Sequence, residues 1–367
     1  MRTSLLAALR RAKRRVWRMK IYVSVDMEGI AGIVVREQLR RGEALYEEGR
    51  RLLTAEVNAL VAAIFAFRAP DELMATAELG SPGQPGSPGS PGSPGQPGQP
   101  RAAGVGAGGV CSATEVIVKD AHGTGFNFHV EHLHEGAEYV LGPSRMEKRF
   151  PGLDETFDGA MLIGYHAMAG TAEAVRDHSY VPTEWQSLSL NGRAVGEIAV
   201  DALLFGLHGV PVLLVSGDDK ACAEARDVLP GVVTYETKRA FGKHVAITRA
   251  PARVYRELPD IVAQALASLG DRRPKREPGG ETMAAREDEG GADCGAGSAA
   301  RPGAESGGAV PAVAPLRWEG PYELIVKLAA TELADARYFD GVNAVRQDGT
   351  TALYRGADLL DVLARGL

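Results

Sequence analysis

Cysteine is scarce in this chain: Cys111, Cys222 and Cys294 are the only three in 367 residues. An odd, dispersed set excludes a disulfide framework and a Cys-x-x-Cys zinc site. It favours a reducing compartment, so the expected location is cytoplasmic. Long apolar runs are missing too; none reaches the ~18 residues of a membrane span. Excess positive charge is also lacking, and a net charge of -6 argues against nucleic acid as a partner. The first twenty residues carry basic side chains and no acid, but their apolar run, Leu5 to Leu9, falls short of the ~7–15 residues of a signal-peptide core. Residues 1–18 therefore read as a basic N-terminal extension, with Met19 as an alternative start. A basic amphipathic helix touching a membrane or acidic partner is the other reading.

Two stretches hold almost no large apolar residues. In residues 80–109, glycine recurs at every third position from Gly80 to Gly98, with Ser-Pro or Gln-Pro between. A collagen-type triple helix needs three chains and many more triplets, so a solvated polyproline II loop is expected. Residues 271–315 are charged and rich in Gly, Ala and Pro, and cannot bury enough surface to order themselves. Without these stretches roughly 270 residues remain, enough for one large α/β domain with room for a subdomain. The expected organisation is a domain over residues 19–367, interrupted by disordered loops at 80–109 and 271–315.

Metal-type side chains stand where apolar runs or turns end. Val23-Ser24-Val25-Asp26-Met27-Glu28-Gly29 supplies two carboxylates, which share a face if the strand continues through them. Val116-Ile117-Val118-Lys119-Asp120-Ala121-His122 delivers His122, and Met161-Leu162-Ile163-Gly164-Tyr165-His166 delivers His166. Glu197 follows the Asn191-Gly192 turn. A lone Asp-x-Glu is usually a solvated loop, and a lone His after an apolar run is usually a cap or core residue. The set is harder to dismiss, because ligands of open α/β sheets bind outside the carboxyl ends of the strands. Three carboxylates and two imidazoles converging there suit a pair of divalent metals, with zinc the leading candidate.

The blocks Ser24-Val25-Asp26-Met27-Glu28-Gly29, Asp120-Ala121-His122, Gly164-Tyr165-His166-Ala167, His178-Ser179, and Asn191-Gly192 with Val195-Gly196-Glu197 occur in an order that resembles the M55 family of metallopeptidases. These are the D-aminopeptidases, once described as dipeptide-transport proteins. The likeness runs from about Lys20 to about Gly366. It implies a three-layer α/β/α sandwich with a metal site at the carboxyl ends of the strands. It also implies a dinuclear zinc centre, removal of N-terminal D-residues from short peptides, and a ring-shaped homo-oligomer. Carried across, Asp26 bridges two zinc ions, Glu28, His122, His166 and Glu197 complete the ligand set, and His178 matches the catalytic histidine. An imidazole suits proton transfer to a leaving amine near neutral pH; a structural hydrogen bond is its bland alternative.

The rest of the chain also reads as α/β. The spacing predicts helices over Glu43 to Phe67, Glu197 to His208 and Ala357 to Leu367, and a hairpin over Leu188 to Val195 around Asn191-Gly192. A buried strand is expected at Val212 to Asp219, ending in two acids, and a further strand at Tyr322 to Leu328. Asp218 and Asp219, at another strand end, are candidates either for a substrate amine or for capping the next helix. Carboxylate and imidazole ligands alone do not separate an aminopeptidase from a dinuclear hydrolase of another amide or a phosphate ester. A non-enzymatic scaffold member is the third reading.

Overall fold

The computed structural model describes residues 17–68, 111–269 and 312–367. The expected loop at 80–109 lies outside the described residues, as do residues 1–16 and 271–311. Trp17 and Arg18 already belong to the first strand, and Val313 is buried.

Among the described residues, twelve strands and six α-helices follow one another. They run β1 (Trp17–Val25), α1 (Tyr46–Ala66), β2 (Cys111–Asp120), β3 (Glu138–Val140), β4 (Gly159–Tyr165), β5 (Trp185–Leu190), β6 (Arg193–Ala194) and α2 (Glu197–Leu207). There follow β7 (Val212–Asp218), α3 (Asp219–Val228), β8 (Val233–Ala240), β9 (Ala246–Thr248) and α4 (Pro251–Ala267). The chain closes with β10 (Tyr322–Leu328), α5 (Thr331–Asp335), β11 (Ala344–Arg346), β12 (Thr351–Gly356) and α6 (Leu359–Gly366).

A seven-stranded sheet has the order β3-β2-β1-β4-β7-β8-β9, parallel throughout except for the β8–β9 pair. Both of its faces are covered, so β4 and the Ile21 to Val25 part of β1, broken only by Ser24, read as continuous rather than alternating apolar runs. On one face Ile21, Val23 and Val25 pack with Leu53, Val57 and Ile64 of α1 and with Val254, Leu258 and Val262 of α4. On the other, Tyr22, Leu162 and Val215 pack with Ile198, Leu203 and Phe205 of α2. This is the expected α/β/α layering.

The room left for a subdomain is taken by a second, antiparallel sheet of five strands, in the order β11-β12-β10-β5-β6. Its Leu188, Leu190, Leu324 and Val326 share the core behind α2. Asn191 and Gly192 form its tight turn with φ of 49° and 74°, as a type I′ hairpin requires. The turn thereby hands the chain into α2 with Glu197 as the first helical residue.

Candidate metal centre

β1 lies between β2 and β4, so the carboxyl ends of these three parallel strands form one row. Asp26 follows the last residue of β1, His122 stands two residues beyond β2, and His166 follows β4 directly. Asp26 and Glu28 lie in the turn after the strand, not within it as the face-sharing argument assumes. They converge because the turn curls, with the Ile30 N–H donating to Met27 O at 3.1 Å. Two close approaches hold it there. Gly29 N–H donates to Gly164 O at 2.7 Å, and Gly164, with φ +71°, leaves no room for a Cβ, which would sit 2.3 Å from Asp26 O.

The side chains meet around Asp26. One of its oxygens, Oδ1, is 2.9 Å from His122 Nδ1, and the other, Oδ2, is 3.3 Å from His166 Nε2. His122 Nδ1 is also 3.1 Å from Glu28 Oε2, and His166 Nε2 is 3.3 Å from Glu197 Oε1. All five predicted ligands are thus brought together, in two overlapping groups flanking Asp26. His178 joins the second group: its ring stacks on His166 with centroids 3.8 Å apart, and its Nε2 is 4.0 Å from Glu197 Oε1.

Each histidine's tautomer follows from a carbonyl, which can only accept. His122 Nε2 donates to Leu39 O at 3.0 Å, His166 Nδ1 to Ala167 O at 2.9 Å, and His178 Nδ1 to Arg176 O at 2.8 Å. In the neutral imidazoles the opposite nitrogens then carry lone pairs. For His122 and His166 those lone pairs face carboxylate oxygens. His166 Nε2 and Glu28 Oε2 are buried without a hydrogen-bond partner. Electron-rich atoms at such distances need positive charge between them, and a carbonyl-oriented imidazole with an open nitrogen is how a protein presents a histidine to a metal. The donor set of carboxylates and imidazoles suits zinc.

Protonation tells the same story. Burial and the charge of Glu28 push Asp26 up to about 7. Burial opposes charge on His166, yet the adjacent Glu197 carboxylate, with the charges of Asp26 and Glu28, raises it to about 10. Glu197 is drawn down to about 2 against its burial, by His166, His178 and Arg149. The pocket recruits cations, protons included. His178 moves the other way: burial and the charge of His166 lower it below its ordinary value.

The surrounding residues fix this geometry. Asp120 accepts from Asn127 N–H at 2.6 Å and from Asn127 Nδ2 at 2.9 Å, ordering the turn that carries His122. Tyr180 N–H donates to Glu197 Oε1 at 2.6 Å. Arg149 Nη2 reaches Glu197 Oε2 at 3.5 Å while its fork grips Asp201, which also accepts from Tyr165 OH at 2.6 Å. Sequence reasoning missed Asp201 and Arg149. A signal for Asp201 exists: it stands one helical turn after Glu197 in an otherwise apolar α2, where an unpaired charge is not tolerated. The strand-end acids Asp218 and Asp219 are structural. Asp218 caps α3, accepting from Lys220 and Ala221 N–H groups and, through Oδ2, from Val175 N–H at 2.8 Å. Asp219 accepts from Ala240 N–H and Lys220 Nζ.

Known proteins with this arrangement are informative. The family model of peptidase M55, described as D-aminopeptidase, matches residues 19–75 and 102–289. A D-aminopeptidase of Bacillus subtilis strain 168 is 31% identical over 260 residues, covering 71% of this chain and 78% of that protein. The solved structure of the Zn-dependent D-aminopeptidase DppA from Bacillus subtilis, described as a self-compartmentalizing protease, superposes with a TM-score of 0.66 at 26% identity. That alignment covers 94% of this chain and 95% of the other. With its five motif blocks in order, and with the strand ends gathering them into one buried pocket, this chain belongs to the M55 peptidases, the D-aminopeptidase family.

Proposed function

We propose that this protein is a zinc-dependent aminopeptidase that hydrolyses short peptides bearing an N-terminal D-residue, and that residues 19–367 form its catalytic unit. The observation that carries the reading is the placement of two buried imidazole nitrogens, His122 Nδ1 and His166 Nε2, against opposite oxygens of Asp26. In this reading Asp26, Glu28, His122, His166 and Glu197 would hold two zinc ions. Bound there, zinc would supply Lewis acidity toward water and the scissile carbonyl.

The chain's own groups do the rest. His178 keeps its Nδ1 proton on Arg176 O, which leaves Nε2 basic and facing the pocket beside Glu197. It accepts the proton of the attacking water and returns it to the departing amine. Glu197 at the start of α2 is steadied by the helix N-terminus, which favours a carboxylate. We also propose a homo-oligomer, supported by the self-compartmentalizing relative, and a cytoplasmic location. Among the described residues no helix is long and apolar enough to cross a membrane.

The test is one assay on zinc-loaded protein, offering D-Ala-D-Ala and L-Ala-L-Ala side by side. Metal-dependent release of D-alanine from the first alone is the expected result. Cleavage of neither, with metal bound, overturns the peptidase reading and turns attention to phosphate esters.

A further inference from the structure

The turn that carries Asp26 and Glu28 runs on to Val35, and little of its backbone pairs with regular structure. Side chains satisfy it instead, from Gln38 just beyond the turn and from more distant elements. Ala31 N–H donates to Glu56 Oε2 of α1 at 3.0 Å, Val34 N–H to Gln38 Oε1 at 2.8 Å, and the Thr237 hydroxyl donates to Gly29 O. The most unusual partner is Lys238 of β8, which is 2% exposed. Its ammonium donates to three backbone carbonyls, those of Glu28, of Ile30 at 2.7 Å, and of Ile33. An ammonium has three protons, so all are used on one turn of chain. Among the described residues no carboxylate lies within ion-pair distance of this nitrogen.

Three converging carbonyls around a buried positive charge are what a monovalent cation finds in a backbone cage. The turn is wound to make them converge: Ile33 N–H donates to Ile30 O, and Gly32 between them adopts φ +83°. Glu28 is consequently held at both ends, its carbonyl by Lys238 and its carboxylate beside His122 Nδ1 at 3.1 Å. A buried charge is expensive to keep. Here burial depresses the lysine pKa to about 8, while the charges of Glu56, Asp218 and Glu28 oppose the shift. A turn that needed only to be closed would be closed more cheaply by an amide such as Gln38 nearby.

We infer that Lys238 is a positioning residue of the metal centre, an internal cation that winds the 27–33 turn and so sets Glu28 against His122. The inference rests on the reading of Glu28 as a zinc ligand. Losing an outer support of a ligand typically weakens metal affinity about 10–100-fold, and that is the expected range for Lys238→Met.

The experiment measures four quantities on the full chain: zinc stoichiometry and affinity by chelator competition, kcat and KM for the D-dipeptide, and amide hydrogen exchange of residues 27–33. Lys238→Met and Lys238→Gln are compared with wild type, and Lys238→Ala is assayed in ammonium, potassium and tetramethylammonium chloride at matched ionic strength. Lys238→Met is expected to lose zinc affinity, drop kcat with little change in KM, and exchange its 27–33 amides at least tenfold faster. In Lys238→Ala, ammonium or potassium restores zinc affinity and tetramethylammonium, too large for the cage, does not. If Lys238→Met fails to fold, Lys238→Gln carries the test; wild-type zinc affinity there overturns the need for a charge. Faster exchange with unchanged zinc affinity overturns the positioning role, because the contact then serves the fold alone. If wild type binds no zinc, the ligand assignment falls separately; unchanged exchange of 27–33 would then sink the Lys238 inference itself.

Discussion

Replacing Gly164 by alanine tests the close approach on which the whole centre depends. The added Cβ would lie 2.3 Å from Asp26 O, against the 3.4 Å where ordinary contact begins. The ends of β1 and β4 would therefore part by about 1 Å, a steep repulsion for packed atoms. Asp26 rides on one of those ends and His166 on the other. Metal ligands tolerate displacements of only ~0.2 Å, so zinc affinity should fall at least tenfold. The left-handed φ of +71° adds strain of roughly 1–2 kcal/mol, and overpacking adds about 1–3 kcal/mol. At about 2–4 °C per kcal/mol, the chelated protein should melt roughly 4–20 °C lower. Gly192→Ala is the control: its φ is +74° but nothing lies within 4 Å of the new Cβ. It should show the conformational strain without loss of zinc. Melting in chelator and zinc titration of both variants decide the matter. Wild-type zinc affinity in Gly164→Ala, with a melting loss no greater than that of Gly192→Ala, would refute the argument.

Other substitutions separate the roles of individual groups. His178→Ala should keep its zinc and lose at least ~100-fold in kcat, the usual weight of a general acid–base; unchanged kcat would make the ring, stacked on His166, purely structural. Glu197→Ala should lose zinc and activity together, and a fully loaded, active variant would remove Glu197 from the site. Glu56 supplies a pH signature. Burial raises its carboxyl from 4.5 to about 7, so its contribution to stability is complete below 4.5 and is lost as pH rises through about 7. The shift corresponds to about 3 kcal/mol. Glu56→Gln keeps an acceptor for Ala31 N–H but cannot titrate, so in chelator its stability relative to wild type should improve by up to that amount between pH 4.5 and 8. Parallel pH curves for the two proteins would contradict this assignment.

The strand ends were legible because parallel strands buried on both faces leave mostly apolar runs, and the polar residues that follow each run mark a carboxyl end. Asp26 and His166 follow their strands directly, and His122 stands two residues past its own, so each could be placed at a strand end from sequence. α1, α2 and the Asn191-Gly192 hairpin came from local rules of spacing and turn chemistry, which do not depend on distant partners. The antiparallel sheet was legible only in part. β10 is a clear apolar run, whereas β11 and β12 are short and separated by the polar Asp348-Gly349 turn, so their pairing with β10 rests on contacts far along the chain. The same limit hid Arg149 and Lys238. A lysine in Val233–Ala240, surrounded by Thr, Glu and Arg, resembles any solvent-facing strand residue until the fold buries it. Asp218 and Asp219 show the converse, strand-end acids whose oxygens are consumed by backbone donors.

Of the gathered ligands only Asp26 and Glu28 are close neighbours in sequence; the others arrive from β2, β4 and the junction with the second sheet. An unfolded chain therefore offers zinc at most a weak carboxylate pair, and strong affinity belongs to the native state alone. On the proposed function, zinc supply would govern more than turnover. By mass action, free metal at a hundred times its dissociation constant adds about 2.7 kcal/mol to the native state, which lowers the population open to cellular proteases. Scarcity would thin out the folded chains themselves, so the abundance of this protein becomes a readout of the metal economy around it.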